Sequence, residues 1–284
     1  MALEAQLRRW YIGLHGLALL RGWPFEPPDA AEARMEAIRR LLDNEGEPET
    51  FEQRRYDVLD VDAAYRDWAE TYDEPNPLII SEQRAMLDVL SACSPGIAAD
   101  VATGTGRLAA MLAGLGHHTY AFDRSEAMLA RAAHNELDAH LAQAELTRLP
   151  LRDGSIDVLT CGLALTHVPD LRPALAEFAR ALAPGGVIVT SDIHPMAAAT
   201  GGHAFFRRAD GSRAVSRNAV HWQSAYVDAA IDAGLRIERC LDVPVDRALL
   251  KDFGATDDWL DPMGAVLDLP FASIWSFRKP RGRG

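Results

Sequence analysis

The sequence contains few cysteines, and this scarcity argues against two protein classes. Only Cys93, Cys161 and Cys240 occur in 284 residues, and they are unevenly spaced and far from any group of histidines. A disulfide framework needs a dense, paired set of cysteines, and a zinc site needs a short Cys/His spacing. We therefore expect neither feature, and we expect no metal centre.

Basic charge is also scarce. Lysine and arginine together number 29, against 41 aspartates and glutamates, so the formal net charge is −12. Nucleic-acid binding draws much of its affinity from basic side chains that neutralise phosphates. We therefore expect no nucleic-acid partner.

Long apolar runs are missing as well. The stretch from Trp10 to Leu20 follows Arg8 and Arg9, as in a signal peptide, but His15 interrupts it and no small-residue cleavage site follows. A membrane-spanning helix needs about 20 apolar residues, which is more than this stretch supplies. We expect a cytoplasmic protein without a membrane partner.

What the chain does contain is an alternation of apolar strand patterns and helical patterns. With 48% hydrophobic residues, it can bury one large core. The alternation predicts an α/β fold whose parallel sheet is covered by helices on both faces. The strands are expected at residues 98–102, 117–122, 139–144, 156–161, 187–191, 235–243 and 271–277.

The regions outside this alternation predict a second level of organisation. Residues 1–60 form an N-terminal helical extension, with one helix ending at Leu20, another over 29–42 and a polar linker at 44–50. Residues 61–284 form the main domain, beginning with a helix that carries Tyr65, Trp68 and Tyr72. Insertions at about 194–220 and 246–269 are expected to roof or wall the ligand pocket. The extension is a candidate lid, or a contact between subunits of a homo-oligomer.

The segment 98–108, AADVATGTGRL, joins a buried strand to a helix through two glycines. Gly104 and Gly106 let the backbone approach a ligand without a Cβ in the way. Asp123 follows about 20 residues later at the end of the next strand, where a carboxylate can accept both hydroxyls of a ribose. The pair predicts a site for a nucleotide-like ligand.

Two kinds of cofactor fit this pair. Gly104, Gly106 and Ala109 also satisfy a dinucleotide fingerprint, so a nicotinamide or flavin enzyme is one interpretation. Asp100 has no place in that fingerprint, and an acid there suits a ligand that carries a positive amino group. The downstream runs 149–170 and 181–192 also argue against a dinucleotide and favour a ligand that carries a positive amino group.

Taken together, Asp100 to Gly106, Asp123, Glu145 and these two runs resemble the ordered motifs of class I S-adenosylmethionine-dependent methyltransferases. The resemblance covers residues 65–190 and extends to the bacterial small-molecule enzymes, such as those acting on quinone rings and natural products. It implies a Rossmann-like, doubly wound, seven-stranded, mostly parallel sheet with its last strand inserted antiparallel beside the sixth. It also implies S-adenosyl-L-methionine as cofactor and methyl transfer to a carbon, oxygen or nitrogen atom of a small-molecule acceptor.

The resemblance also assigns roles to residues of the cofactor site. Gly104 and Gly106 pass under the cofactor, Asp100 faces its amino group, Asp123 holds the ribose and Glu145 lies near the adenine. Tyr65 and Tyr72 resemble an aromatic pair that closes over the cofactor, although both also suit ordinary packing. The full set of expected cofactor-binding residues is Tyr65, Tyr72, Asp100, Ala102, Thr103, Gly104, Gly106, Asp123, Arg124, Met128, Glu145, Leu146, Cys161 and His167.

A phenol, enol or acidic carbon must lose a proton during methyl transfer, and histidine is the natural base near neutral pH. His194, directly after the fifth strand, is the first candidate, and His221 is the second. Each also suits a structural role, His203 is a weaker candidate, and His167 is expected to pack or position. An amine that is already neutral needs no base.

Other functions remain open at this point. The fold also suits an S-adenosylmethionine-binding enzyme that catalyses a rearrangement or cyclisation without methyl transfer. The remaining alternatives are an NAD-dependent oxidoreductase and a non-catalytic interaction module.

Overall fold

The computed structural model describes residues 2–43 and 53–281, and a seven-stranded sheet forms its centre. The linker expected at 44–50 lies outside the described residues. The sheet has the order β10-β11-β7-β6-β3-β4-β5. Its strands are β3 (Ile97–Val101), β4 (His118–Asp123), β5 (His140–Gln143), β6 (Ile156–Gly162), β7 (Leu182–Ile193), β10 (Arg236–Pro244) and β11 (Pro270–Arg278).

The direction of the strands confirms the mostly parallel sheet. β3 pairs in parallel with β4 and β6, and the same direction continues to β5 and β7. β11 runs antiparallel to both β7 and β10, between which it is inserted. All seven expected strands are present, each within a few residues of its predicted position.

Helices cover both faces because successive strand residues point to opposite sides of the sheet. Ala99, Leu159 and Ile188 belong to one apolar cluster, whereas their neighbours Ala98 and Val158 belong to another. The helices of the main domain are α3 (Val61–Trp68), α4 (Pro77–Leu90), α5 (Arg107–Gly114), α6 (Glu126–His134), α7 (Arg172–Ala181), α8 (Pro195–Ala199), α9 (Gln223–Asp232) and α10 (Arg247–Asp252).

The order of the strands determines where a ligand binds. From β3 the chain moves outward through β4 and β5, and then returns to place β6 on the other side of β3. The connections on the two sides of β3 therefore diverge and leave a crevice at the carboxyl ends of the strands. Open α/β sheets bind their ligands in such a crevice.

The described residues also form a second sheet, which the sequence patterns did not predict. It has the order β1-β2-β9-β8 and joins two strands of the extension to two strands of the 194–220 insertion. Its members are β1 (Ala2–Gln6), β2 (Gln53–Leu59), β8 (Ala204–Arg207) and β9 (Arg213–Ser216). α3 packs against this sheet through Trp68, whose ring stacks on Phe206.

The two helices of the extension are α1 (Leu7–Gly22) and α2 (Pro28–Leu42). α1 packs through Leu14 and Ala18 against Ala265, which belongs to a 3₁₀ turn in the second insertion. Arg21 adds hydrogen bonds from Nη1 to the carbonyl oxygens of Ala265 and Leu267, at 2.6 and 2.8 Å. The 246–269 insertion thus lies against the N-terminal extension. None of the helices in the described part of the chain has the length and apolar character of a membrane span.

Candidate active site

The turn after β3 has left-handed backbone at three positions. φ is +55° at Ala102, +58° at Gly104 and +94° at Gly106, and the last of these caps the N-terminus of α5. Two of the three are glycines because a side chain strains this conformation. A Cβ on Gly104 would meet only the ring of Tyr72, at 3.9 Å, so the surface above this glycine lies open as far as that ring.

Asp123 ends β4 directly beside this turn. Its Oδ2 accepts a hydrogen bond from the Gly104 amide and its Oδ1 accepts one from the Ser125 amide, both at 2.8 Å. Burial raises the pKa of Asp123, and backbone hydrogen bonds from Ser125, Gly104 and Arg124, together with the Arg124 charge, oppose that shift. A carboxylate has about four acceptor positions, so with three backbone donors about one remains for a ligand.

Asp100 lies one strand away, near the end of β3, and is almost fully buried. Its two oxygens accept hydrogen bonds from Thr103 Oγ1 at 2.6 Å and from Thr160 Oγ1 at 2.7 Å. Burial raises the pKa of Asp100 to about 6, although both threonines and the nearby Arg107 charge favour the ionised form. A positively charged group placed beside Asp100 would restore its ionisation.

A small cavity of ≈ 20 Å³ lies between the glycine turn and the end of β6. Charged, polar and apolar side chains share its lining, which consists of Tyr72, Asp100, Ala102, Thr103, Arg107, Leu108 and Gly162. Asp100 and Arg107 give it one negative and one positive wall. This pairing matches the ammonium and carboxylate of a free amino acid.

The sequence analysis did not identify Arg107 as a site residue. Its guanidinium forms an ion pair with a buried carboxylate. Arg107 Nη1 donates to Glu82 Oε2 at 2.7 Å, and Glu82 is fully buried on α4. The other carboxylate oxygen of Glu82 accepts a hydrogen bond from Ser191 on β7. No local signal in α4 distinguishes Glu82, which stands between Ser81 and Gln83, and only the tertiary structure identifies its partners.

Aromatic side chains from α3 and from the turn after it lie beside the glycine turn. We expected α3 to extend to Tyr72, but the helix ends at Trp68. Tyr72 lies in the turn that follows the helix. The ring centroids of Tyr65 and Tyr72 are 6.2 Å apart, and those of Trp68 and Tyr72 are 4.9 Å apart. Tyr65 Oη lies 2.6 Å from His167 Nε2. These four side chains form what we call the aromatic cover.

The residues present fit S-adenosylmethionine. Asp123 has an acceptor position free for a ribose hydroxyl, and Asp100 with Arg107 complements an amino-acid zwitterion. The left-handed turn at Gly104 offers a surface without side chains between these two groups. Tyr72, at 3.9 Å from that surface, covers it with an aromatic ring.

The remaining expected cofactor residues lie around this centre. Arg124 Nε is 3.6 Å from Glu145 Oε1, so these two form the outer edge of the site beyond β4. The Met128 side chain is fully buried at the start of α6, and Leu146 packs against the core. Cys161 is buried at the end of β6, where its thiol has a strongly raised pKa because of burial.

The two expected catalytic histidines, His194 and His221, are not among the residues that line the cavity beside the glycine turn. His194 Nδ1 accepts a hydrogen bond from the Met196 amide at 3.1 Å, and its Nε2 lies 3.0 Å from the Gln223 side-chain amide. Burial lowers the pKa of His194, opposed by Asp242. His221 Nε2 donates to the Val168 carbonyl oxygen at 2.7 Å.

Asp192 is a second buried carboxylate that the sequence reasoning missed. It lies at the end of β7, is 1% exposed and accepts hydrogen bonds from the Tyr226 hydroxyl and from the Ile193 amide. Burial raises the pKa of Asp192 to about 7, while hydrogen bonds, including one from the Thr166 amide, oppose the shift. Through these hydrogen bonds Asp192 connects the end of β7 to α9 and to the segment after β6.

Comparisons with known proteins point to methyltransferases. Residues 99–190 match the family model described as a methyltransferase domain. The chain is 33% identical over 141 residues to the demethylmenaquinone methyltransferase of Beutenbergia cavernae, a match covering 48% of this chain and 59% of that protein. It is 32% identical over 162 residues to the ubiquinone biosynthesis O-methyltransferase of Alkalilimnicola ehrlichii, covering 52% and 65%. The chain thus spans less than two thirds of the length of these relatives.

A solved structure shares the fold. An S-adenosylmethionine-dependent methyltransferase from Mesorhizobium loti superposes with a TM-score of 0.55 at 23% identity, over 70% of this chain and 97% of that one. These matches do not favour the alternatives of a nicotinamide enzyme or a non-methylating enzyme. The chain therefore contains a region similar to methyltransferase domains, at residues 99–190, on the fold of class I S-adenosylmethionine-dependent methyltransferases.

Proposed function

We propose that this chain transfers a methyl group from S-adenosylmethionine to a carbon, oxygen or nitrogen atom of a small-molecule acceptor. The observation that carries the proposal is the pair of buried carboxylates, Asp100 and Asp123, on either side of the left-handed turn at Gly104. The names of the relatives make quinone-type rings the first acceptors to screen.

The proposed role of each residue follows from its position in the site. Asp123 binds a ribose hydroxyl, Asp100 and Arg107 bind the amino-acid end, and the turn at Gly104 supports the ligand between them. S-adenosylmethionine, when bound, supplies a methyl group already activated by a positively charged sulfur. The protein therefore has to align the acceptor and exclude water, which are tasks suited to the aromatic cover.

Binding and transfer are tested in two steps. Calorimetric titration with S-adenosylmethionine, S-adenosylhomocysteine and NAD should detect the first two and not NAD. Asp123→Ala should abolish binding, whereas Asp138→Ala, at an exposed position between α6 and β5, should retain it. Release of S-adenosylhomocysteine with a panel of quinols, phenols and amines then identifies the acceptor. NAD binding, or equal loss in both variants, would contradict the proposal.

The cavity beside Gly104, at ≈ 20 Å³, has room for about one water molecule. We infer that the aromatic cover moves outward when the cofactor enters. Trp68 is in ring contact with both Tyr72 and Phe206, so its fluorescence reports this motion. We expect S-adenosylhomocysteine to change the tryptophan emission of the wild type, and Trp68→Phe to remove most of that change. An unchanged signal in the variant would contradict the inference.

The N-terminal extension, residues 1–60, is proposed to form part of the roof together with the 194–220 insertion. Strands from both regions share one four-stranded sheet, which supports this role. Between α1 and α2 the side chains of Trp23 and Phe25 are 79% and 89% exposed. They are the proposed contact of a homo-oligomer, and a Trp23→Ser, Phe25→Ser double variant should lower the mass measured by sedimentation. A cytoplasmic location and the absence of a nucleic-acid partner stay predictions.

General-base roles for His194 and His221 also stay predictions. Both ring nitrogens of His194 lie within hydrogen-bond distance of a neighbour, so service as a base would require this arrangement to open. His194→Gln and His221→Gln variants, assayed for turnover and for S-adenosylhomocysteine affinity, separate a catalytic from a structural role.

A further inference from the structure

The residues on either side of Tyr72 both form hydrogen bonds to distant parts of the chain. Thr71 Oγ1 donates to the Arg207 carbonyl oxygen on β8 at 2.6 Å. Asp73 Oδ1 accepts a hydrogen bond from Thr105 Oγ1, also at 2.6 Å. Tyr72 is therefore held between β8 of the second sheet and the glycine turn.

The hydrogen bond from Thr105 to Asp73 is the stronger of these two contacts. Thr105 is 3% exposed and lies between the two glycines of the turn, so water competes little for its hydroxyl. Its acceptor is a carboxylate, and a hydrogen bond to a charged group is roughly twice as strong as one between neutral groups. Arg131 Nη2 lies 3.7 Å from Asp73 Oδ2 and supports the negative charge. The Thr71 contact joins two neutral groups.

The glycine turn is fixed to its surroundings by other hydrogen bonds. Asn135, directly after α6, donates from Nδ2 to the Thr105 carbonyl oxygen at 3.1 Å. The Thr103 amide donates to the Phe122 carbonyl oxygen on β4 at 2.8 Å. Because α6 and β4 hold the turn in place, the segment that carries Asp73 is the part that moves when the two separate.

The ring of Tyr72 closes the surface on which the cofactor is proposed to lie. It is 3.9 Å from the position of a Cβ on Gly104, and the cavity beneath it measures ≈ 20 Å³. The rings of Trp68 and Tyr65, with centroids 4.9 and 6.2 Å from that of Tyr72, restrict its rotation in place. The ring therefore leaves this surface by a movement of its backbone, and Asp73, the next residue, ties that backbone to the turn.

The geometry points to the hydrogen bond from Thr105 to Asp73 as the contact that limits how fast the cofactor enters and leaves. Asp73 acts as a positioning residue, since it holds Tyr72 over the turn. This inference rests on the proposed cofactor site and adds the residue that controls exchange at that site. The bond is intact in the closed form, with or without the cofactor, and it breaks only in the open form through which the cofactor passes.

Loss of this bond has a kinetic signature that a merely structural role does not share. Removing a contact that is present in both the free and the bound closed forms raises the association and dissociation rate constants by the same factor. The net strength of a hydrogen bond to a charged group corresponds to about tenfold in each rate. The Kd then stays nearly unchanged. If Asp73 only shaped the bound site, its loss would raise the dissociation rate constant alone, and Kd would rise with it.

Surface plasmon resonance with S-adenosylhomocysteine and the immobilised full chain measures both rate constants. Thr105→Val keeps the shape of the side chain but lacks the hydroxyl, and it should raise both rate constants about tenfold and leave Kd within about threefold. Asp73→Ala should do the same. The double variant should add little, because both substitutions remove one and the same bond. Asp73 is exposed, so this variant keeps the test available if a change in the buried turn prevents folding.

Two further variants serve as controls. Thr105→Ser retains the hydroxyl and should keep the rate constants of the wild type. Glu74→Gln removes the same charge from the next, exposed position of the same turn and should also have no effect. Unchanged association in both Thr105→Val and Asp73→Ala, or a rise in the dissociation rate constant alone, overturns the inference. Failure of the wild type to bind S-adenosylhomocysteine is a separate result that rejects the proposed function itself.

Discussion

The pKa of Asp100 predicts how cofactor affinity depends on pH. Its value of about 6 reflects burial, opposed by Thr103, Thr160 and the Arg107 charge. At pH 7 about nine tenths of the carboxyl groups are ionised, and at pH 5 only about one tenth are. Because a ligand ammonium lowers this pKa, affinity is highest above pH 6 and is lost as the pH falls through that value.

The magnitude follows from the two populations. If only the ionised form of Asp100 binds the ammonium, Kd for S-adenosylhomocysteine rises about tenfold from pH 7 to pH 5, or about 1.4 kcal/mol. Calorimetry across this range measures Kd directly. Titration at pH 6 in two buffers of different ionisation enthalpy should show the release of up to about half a proton per site.

Asp100→Asn serves as the control because it removes the titration while keeping nearly the same shape. The variant should bind more weakly at pH 7 and lose most of the pH dependence. Asp123, whose pKa is also raised, accounts for any slope that remains. A Kd that changes less than about twofold between pH 5 and 7, or an equal tenfold change in Asp100→Asn, would refute the reasoning.

Three further predictions concern the same region. Arg107→Met leaves the carboxylate of Glu82 buried without its partner, so we expect a loss of about 3–5 kcal/mol in the free energy of unfolding by denaturant titration; a loss under about 1 kcal/mol would contradict this. Gly104→Val places a β-branched side chain at φ +58° on the cofactor surface, and it should abolish calorimetric binding of S-adenosylhomocysteine; unchanged affinity would remove the turn from the site. Asp192 has a pKa of about 7 in the folded protein against 3.8 when free, so its stabilisation is complete below pH 3.8 and lost as the pH rises to 7. Relative to the wild type, Asp192→Asn should therefore gain about 3 kcal/mol in unfolding free energy from pH 4 to pH 7, and a constant difference would show that the carboxyl does not titrate in this range.

Several parts of the site could be predicted because they depend on residues that are close in sequence. The turn from Asp100 to Gly106 needs left-handed backbone, which glycine supplies, and Asp123 follows at the end of the next strand. Parallel pairing of β3 with β4 brings the two ends together, and the Gly104 amide then bonds to Asp123. The glycine pattern and the distance to Asp123 were therefore sufficient to predict that both belong to one site, although the hydrogen bond between them was not predicted.

Other parts depend on residues far apart in sequence. Glu82 and Ser191 are separated by 109 positions, and Tyr65 and His167 by 102, so no local pattern indicates either contact. The four-stranded sheet was missed for the same reason, since the short strand β2 pairs with β9 more than 150 residues later. Short strands at the edge of a domain carry little periodicity to distinguish them from loops.

The sequence by itself determined the seven-stranded α/β fold, the glycine turn and the carboxylate that faces it. Apolar periodicity and backbone conformation are local properties, and residue order is enough to encode them. Only the tertiary structure determined which histidine has a free ring nitrogen beside the aromatic cover, because that depends on the partners that packing brings to each ring. His194 is engaged by the Met196 amide and Gln223, whereas His167 keeps Nδ1 free after bonding to Tyr65.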